Sequence, residues 1–171
     1  MRRFLELASG WFPAVVAFAL PVTFLPFLTD SFILPRASIV IAGACIGTGL
    51  ALLTPGGPGL GSLRWPLLAA AAALLLAFAF SISWPLSLAG SYTRYESLPM
   101  RLAYLGLLGS ALWLLRTDLQ RQAVVAAFVF GVSIVSLLAI GQALAHVPFR
   151  PDGNLGNANL LAGLVAMGIP L

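Results

Sequence analysis

Lysine is absent from this 171-residue chain, and charge of either sign is scarce: nine arginines and five acids make 8% of residues charged, beside one histidine, while 60% are hydrophobic. Soluble domains carry about a quarter charged residues, so a water-facing globule is excluded and lipid is the expected solvent. The single cysteine, Cys45, lies in the apolar run from Ile39 to Leu53, which rules out a disulfide framework and a thiolate metal site. The single histidine, His146, follows the fifth apolar run with no carboxylate or second histidine nearby, and reads as a loop residue rather than a base or metal ligand. No HExxH, P-loop or Ser/His/Asp grouping occurs in usable context. No catalytic residue, metal or cofactor is therefore assigned. The net charge of +4 does not indicate nucleic acid, because the arginines stand singly or in pairs between apolar runs and not along one face.

What remains is apolar sequence cut into lengths that suit a bilayer. A hydrocarbon core of about 30 Å takes about 20 residues at the helical rise. The expected architecture is all-α, a polytopic transmembrane bundle in one membrane domain (1–171), with about five full spans and part of a sixth. The spans are expected near 11–28, 35–53, 65–83, 99–115, 123–144 and 160–171. Arg2 and Arg3 before the first run, and Ala17-Phe18-Ala19 within it, resemble a signal peptide, but Glu6, Pro13 and the later runs favour an uncleaved helix. Pro21 and Pro26 should kink or end it, and Pro35 and Pro99 suit first turns. Pro55 to Gly61 reads as a tight turn, Trp84 to Leu98 as an interfacial loop, and Arg116, Asp118 and Arg121 as a short charged turn. The last run, Leu160 to Leu171, is too short to cross and lacks a polar flank, so the natural protein is expected to continue.

With the N-terminus cytoplasmic, Arg2, Arg3, Arg64, Arg116 and Arg121 fall inside and Arg36, Arg94, Arg101 and Arg150 outside, which favours that orientation slightly. The four outer arginines are candidate phosphate ligands, since a guanidinium fork matches phosphate oxygens. The plainer alternative is that each snorkels or marks an interface. Gly153-Asn154-Leu155-Gly156-Asn157-Ala158-Asn159 precedes the last run; Asn157 or Asn159 could cap its helix, or the segment could form a polar pocket for an anionic ligand. Gly43 with Gly47, Gly106 with Ser110, and Gly141 with Ala145 are small-residue pairs that let helices approach closely.

Two stretches together resemble the O-antigen ligase and polymerase superfamily. One is Ser83 to Leu98, with GSYTRYES beside the family's GSYxRYxG loop; the other is Arg150 to Leu171, with GNLGNANLLAGL beside its GNxNxLA stretch and a closing Pro-Leu. The phrase Phe32-Ile33-Leu34-Pro35-Arg36 is similar to the family's first outer loop. Ser97 stands where the family often has Gly, and Ala158 where Pro is frequent.

The resemblance implies a multi-pass glycosyltransferase of the bacterial cytoplasmic (inner) membrane, moving a glycan from a polyprenyl diphosphate carrier to a lipid or glycan acceptor, with no metal or nucleotide sugar. It places the family's catalytic loop beyond Leu171, and leaves Arg36, Arg94, Arg101, Arg150, Asn157 and Asn159 as substrate-side candidates. The partners expected are the bilayer and the lipid-linked glycan, with no nucleic acid; the sequence does not specify an oligomeric state. A small-anion transporter, and a small structural or assembly membrane protein, are the alternatives.

Overall fold

The computed structural model describes residues 6, 8–27, 30–90, 97–146, 148 and 150–169. Among them the chain is all helix, turn and coil, with no strand. Among the described residues seven α-helices have defined bounds: α1 (Phe12–Val22), α2 (Ile33–Leu53), α3 (Arg64–Ala79), the short α4 (Trp84–Ala89), α5 (Leu98–Leu114), α6 (Asp118–Leu144) and α7 (Ala158–Gly168). Among the described residues three helical stretches are long and apolar enough to cross a membrane: Ile33–Leu53, Gly61–Ala79, which includes a 3-10 turn, and Asp118–Leu144. Three shorter helices, α1, α5 and α7, are also apolar.

Contacts at the glycines fix how these helices run. A Cβ on Gly43 or Gly47 of α2 would meet Leu107 and Ser110 of α5, and Val16 and Phe12 of α1. Rising numbers in α2 therefore match rising numbers in α5 and falling numbers in α1, so α2 lies parallel to α5 and antiparallel to α1. Gly10 lies against Gln120, and Gly131 against Phe18 and Pro21, which makes α1 and α6 parallel. Gly168 of α7 lies against Val132, while Leu161 and Val135 both approach Gly153, so α7 returns antiparallel to α6. This alternation is what short connections impose on helices crossing one slab.

The interior is built from small side chains. Ala37, Val40 and Ala44 of α2 cluster with Met100 and Ala103 of α5, and Leu114 and Val135 are fully buried. By contrast, α3 and α7 bury no residue, and α3 shows Trp65, Leu68, Leu75 and Leu76 on its surface. Such faces are untenable in water and ordinary against hydrocarbon.

Several boundaries differ from the sequence reading, each for a local reason. The first helix stops at Val22 and not near residue 28: Pro21 lies in its last turn, and Thr23, extended at φ −68° and ψ 126°, turns its N–H and hydroxyl back to Ala19 O. The third helix ends at Ala79 and not near Ser83: Phe80, at φ −93° and ψ 13°, leaves the helical conformation while its N–H closes the last turn on Leu76 O. The chain instead restarts as α4 inside the segment read as loop, with Pro85 in its first turn. The fifth long helix begins at Asp118 and not near Ala123. Thr117 Oγ1 accepts from Gln120 N at 3.2 Å and Gln120 Oε1 accepts from Thr117 N at 3.2 Å, a reciprocal capping box. Asp118 and Arg121, expected in a turn, are thus on the helix, and the turn is Leu115 to Thr117.

Candidate functional site

Alternation of the helices sorts the polar residues into two ends. One end gathers the start of α1, the close of α2, the starts of α3 and α6 and the close of α5, with Arg64, Arg116, Asp118 and Arg121. The other gathers the close of α1, the starts of α2 and α5, the helix α4, the close of α6 and the segment 150–157, with Arg36, Arg101 and Arg150. Arg94 lies outside the described residues.

The most elaborate construction stands where α1 stops. A helix leaves its last four carbonyls without internal donors, and inside a membrane water cannot serve them. Here every one has a partner. Ala19 O accepts from Thr23, Leu20 O from Arg36 Nε at 3.0 Å, and Pro21 O from Arg36 Nη2 at 3.3 Å and Asn154 Nδ2 at 3.2 Å; Val22 O accepts from Asn154 Nδ2 at 2.7 Å. Arg36 Nη1 also donates to Phe32 O at 2.9 Å and Nη2 to Asn154 O at 2.9 Å. Four of the five guanidinium N–H groups are thus spent on carbonyls, and the positive charge sits against the negative pole of α1.

The segment 150–157 is shaped to reach this point. Gln142 of α6 grips it, with Oε1 accepting from Asp152 N and Gly153 N at 3.0 and 2.8 Å and Nε2 donating to Gly153 O at 2.7 Å. Gly153 and Gly156 hold φ of 63° and 69°, and a Cβ there would lie 2.8 Å from Val135 Cγ1 and 2.7 Å from the Phe32 ring. Only glycine satisfies both the positive φ and the close approach. Leu155 is buried between them, and Asn157 then caps α7, its Oδ1 accepting from Asn159 N at 2.8 Å. Asp30 opens α2 in the same manner, accepting from Phe32 N and Ile33 N.

The candidates named from the sequence therefore divide. Arg36 and the 153–157 segment come together, but as a joint between helices. Asn157 is the cap of α7, and Asn159 is exposed beside it. Arg150 is exposed on the same end. Arg101, in the first turns of α5, lines a separate pocket of about 170 Å³ with Leu74, Ala77, Phe78, Ser87 and Leu98. Two larger spaces, about 450 and 580 Å³, lie along α2 and α5 among Ala, Gly, Leu and Thr side chains with no charged group, and suit hydrocarbon rather than a headgroup. Sequence reasoning missed Gln142, whose partner lies 11 residues away, and named Asn154 only within the 153–159 segment, without its partner 132 residues away. It also missed Arg116, which caps α2 at the opposite end by donating from Nη2 to Thr54 O at 3.0 Å and Pro55 O at 3.3 Å. Among the described residues no group of histidine, cysteine and acids is placed to hold a metal.

Apolar helices long enough to cross a bilayer, and helix faces that bury nothing within the chain, define an all-helical membrane protein. No protein-family model, curated protein or solved structure matches the chain.

Proposed function

We propose that the chain is a membrane portion of an O-antigen ligase-like glycosyltransferase, which moves a glycan from a polyprenyl diphosphate carrier to a lipid or glycan acceptor on the outer face of a bacterial inner membrane. Its apolar helices make about five full spans of that membrane and part of a sixth, and its N-terminus is cytoplasmic. The observation that supports this most is convergence. Arg36, Arg101, Arg150 and the GNLGNAN segment, positions that carry the family resemblance or flank it, share one end of the bundle. A departing diphosphate needs positive charge fixed near it, and arginines at one membrane face supply that without a metal. An anion-conducting pathway is supported less, because the arginine nearest the interior, Arg36, is already engaged by four carbonyls.

A transfer assay tests the proposal. Membranes carrying the full-length protein, given a polyprenyl diphosphate-linked glycan and an acceptor, should form the glycosylated acceptor. Arg94→Lys should lower transfer roughly ten- to a hundredfold, since a point-charge ammonium lacks the fork for phosphate oxygens. No transfer at matched expression would overturn the reading, and full activity of the Lys variant would remove Arg94 from it.

A further inference from the structure

Past the end of α3 the chain stays apolar where a connection between membrane helices would normally turn polar. No charged residue occurs between Arg64 and Arg94, and Phe80, Ile82, Trp84, Leu86 and Leu88 all stand exposed. The helix α4 buries no residue. Single exposed apolar groups are ordinary, but large ones at every second position from 80 to 88 make a patch that water does not support. The corner is folded beside α3 and not above it. Phe78 and Trp84 pack with ring centroids 5.6 Å apart, the Ser81 and Ser87 hydroxyls share a hydrogen bond, and Ser87 borders a small space with Leu74, Ala77 and Phe78 of α3 and Leu98 of α5. Leu74 lies about 7–8 Å before the end of α3 at the helical rise, so α4 runs back alongside the last turn and a half of that helix. The corner also supplies backbone partners that water would otherwise provide. Phe80 N donates to Leu76 O, Ser81 N to Phe78 O and Ser83 N to Ser81 Oγ, while Pro85 has no N–H to satisfy. Such internal pairing is what irregular backbone needs at membrane depth.

We infer that the segment from Phe80 to Leu88 is set into the leaflet at the Arg36 end of the bundle, with lipid acyl chains as the partner of its apolar side chains. Continuity with α3 carries this. That helix, with its 3-10 turn, is long and apolar enough to cross the bilayer, and it buries no residue within the chain, so acyl chains that pack on α3 meet α4 without a break. Trp84 opens α4 with the residue type that favours the boundary between headgroups and hydrocarbon. A second protein helix fits the patch less well, because helix contacts within lipid are built on small residues that let backbones approach, and this patch presents Phe, Ile, Trp and Leu. The inference does not depend on the transferase reading.

The test puts a nitroxide spin label on single cysteines of the whole protein in phosphatidylcholine vesicles, in a Cys45→Ala background. It reads collisions of the label with oxygen, which concentrates in hydrocarbon, and with a water-soluble nickel chelate. Ile82→Cys and Leu86→Cys carry the test; Ile46→Cys, exposed on α2, gives the hydrocarbon reference and Arg150→Cys, exposed at the same end as the patch, the water reference. Far-ultraviolet circular dichroism checks that each variant keeps its helix, and either patch position decides alone if the other unfolds. Labels at positions 82 and 86 should share the preference for oxygen seen at position 46, with the nickel collisions seen at position 150 lost. Nickel collisions as frequent as at position 150 would overturn the inference. Loss of collisions with both reagents would overturn lipid as the partner, because it would put protein over the patch.

Discussion

At the scale of single residues, two half-buried arginines of the bundle act as side-chain caps, Arg36 from within α2 and Arg116 from the turn after α5. Arg36 closes α1 and Arg116 closes α2, at opposite ends. The fork explains the choice: Arg36 reaches four carbonyls from three segments, which an ammonium with one nitrogen cannot span. Arg36→Ala is expected to lower stability by roughly 2–4 kcal/mol, from hydrogen bonds to a charged donor and the carbonyls left orphaned, and Arg36→Lys to recover less than half of that. Thermal unfolding in detergent measures both, and a Lys variant as stable as the parent would reduce Arg36 to a simple interfacial charge. The glycines give a sharper contrast. Gly156→Ala meets the Phe32 ring at a φ of 69° and should cost roughly 1–3 kcal/mol, whereas Gly141→Ala meets nothing within 4 Å and should be neutral or slightly stabilising.

At the scale of elements, the segment 150–157 is a clasp: Gln142 holds it to α6, Asn154 pins it to α1, and Asn157 starts α7. Gln142→Ala should speed hydrogen exchange at the Asp152 and Gly153 amides at least tenfold while the amides in the middle of α6 stay protected; equal rates would mean that the clasp does not depend on Gln142. The helices themselves are legible in the sequence because apolar runs and prolines punctuate it, and the opening of α5 by Pro99 and the capping of α7 by Asn157 follow from local rules. The start of α6 is not legible in the same way, because Asp118-Leu119-Gln120-Arg121-Gln122 is polar enough to pass for a turn, and only the reciprocal Thr117 and Gln120 bonds mark it as a first turn. The helix α4 has six residues, too few for any periodicity to emerge. The duty of Arg36 is hidden for another reason: its partner Asn154 lies 118 residues away, and only the packed bundle brings them together.

At the scale of the whole molecule, packing pairs the helices as α2 with α5 and α1 with α6, each pair parallel, and leaves α3 and α7 on the outside. Close approach at Gly43, Gly47, Gly106 and Gly131 replaces the hydrophobic drive that is absent within lipid. Under the proposed function, this alternation threads the chain through a membrane with the Arg36 end outward and the Arg116 end cytoplasmic. Cysteine labelling in intact cells tests that threading most directly, in a Cys45→Ala background with single cysteines at Asp152, Gly57 and Asp118. A membrane-impermeant maleimide should modify the residue-152 variant from outside and reach those at 57 and 118 only after the membrane is opened. Labelling of 57 and 118 from outside with 152 protected would contradict the orientation, and labelling of all three from the same side would contradict the alternation itself.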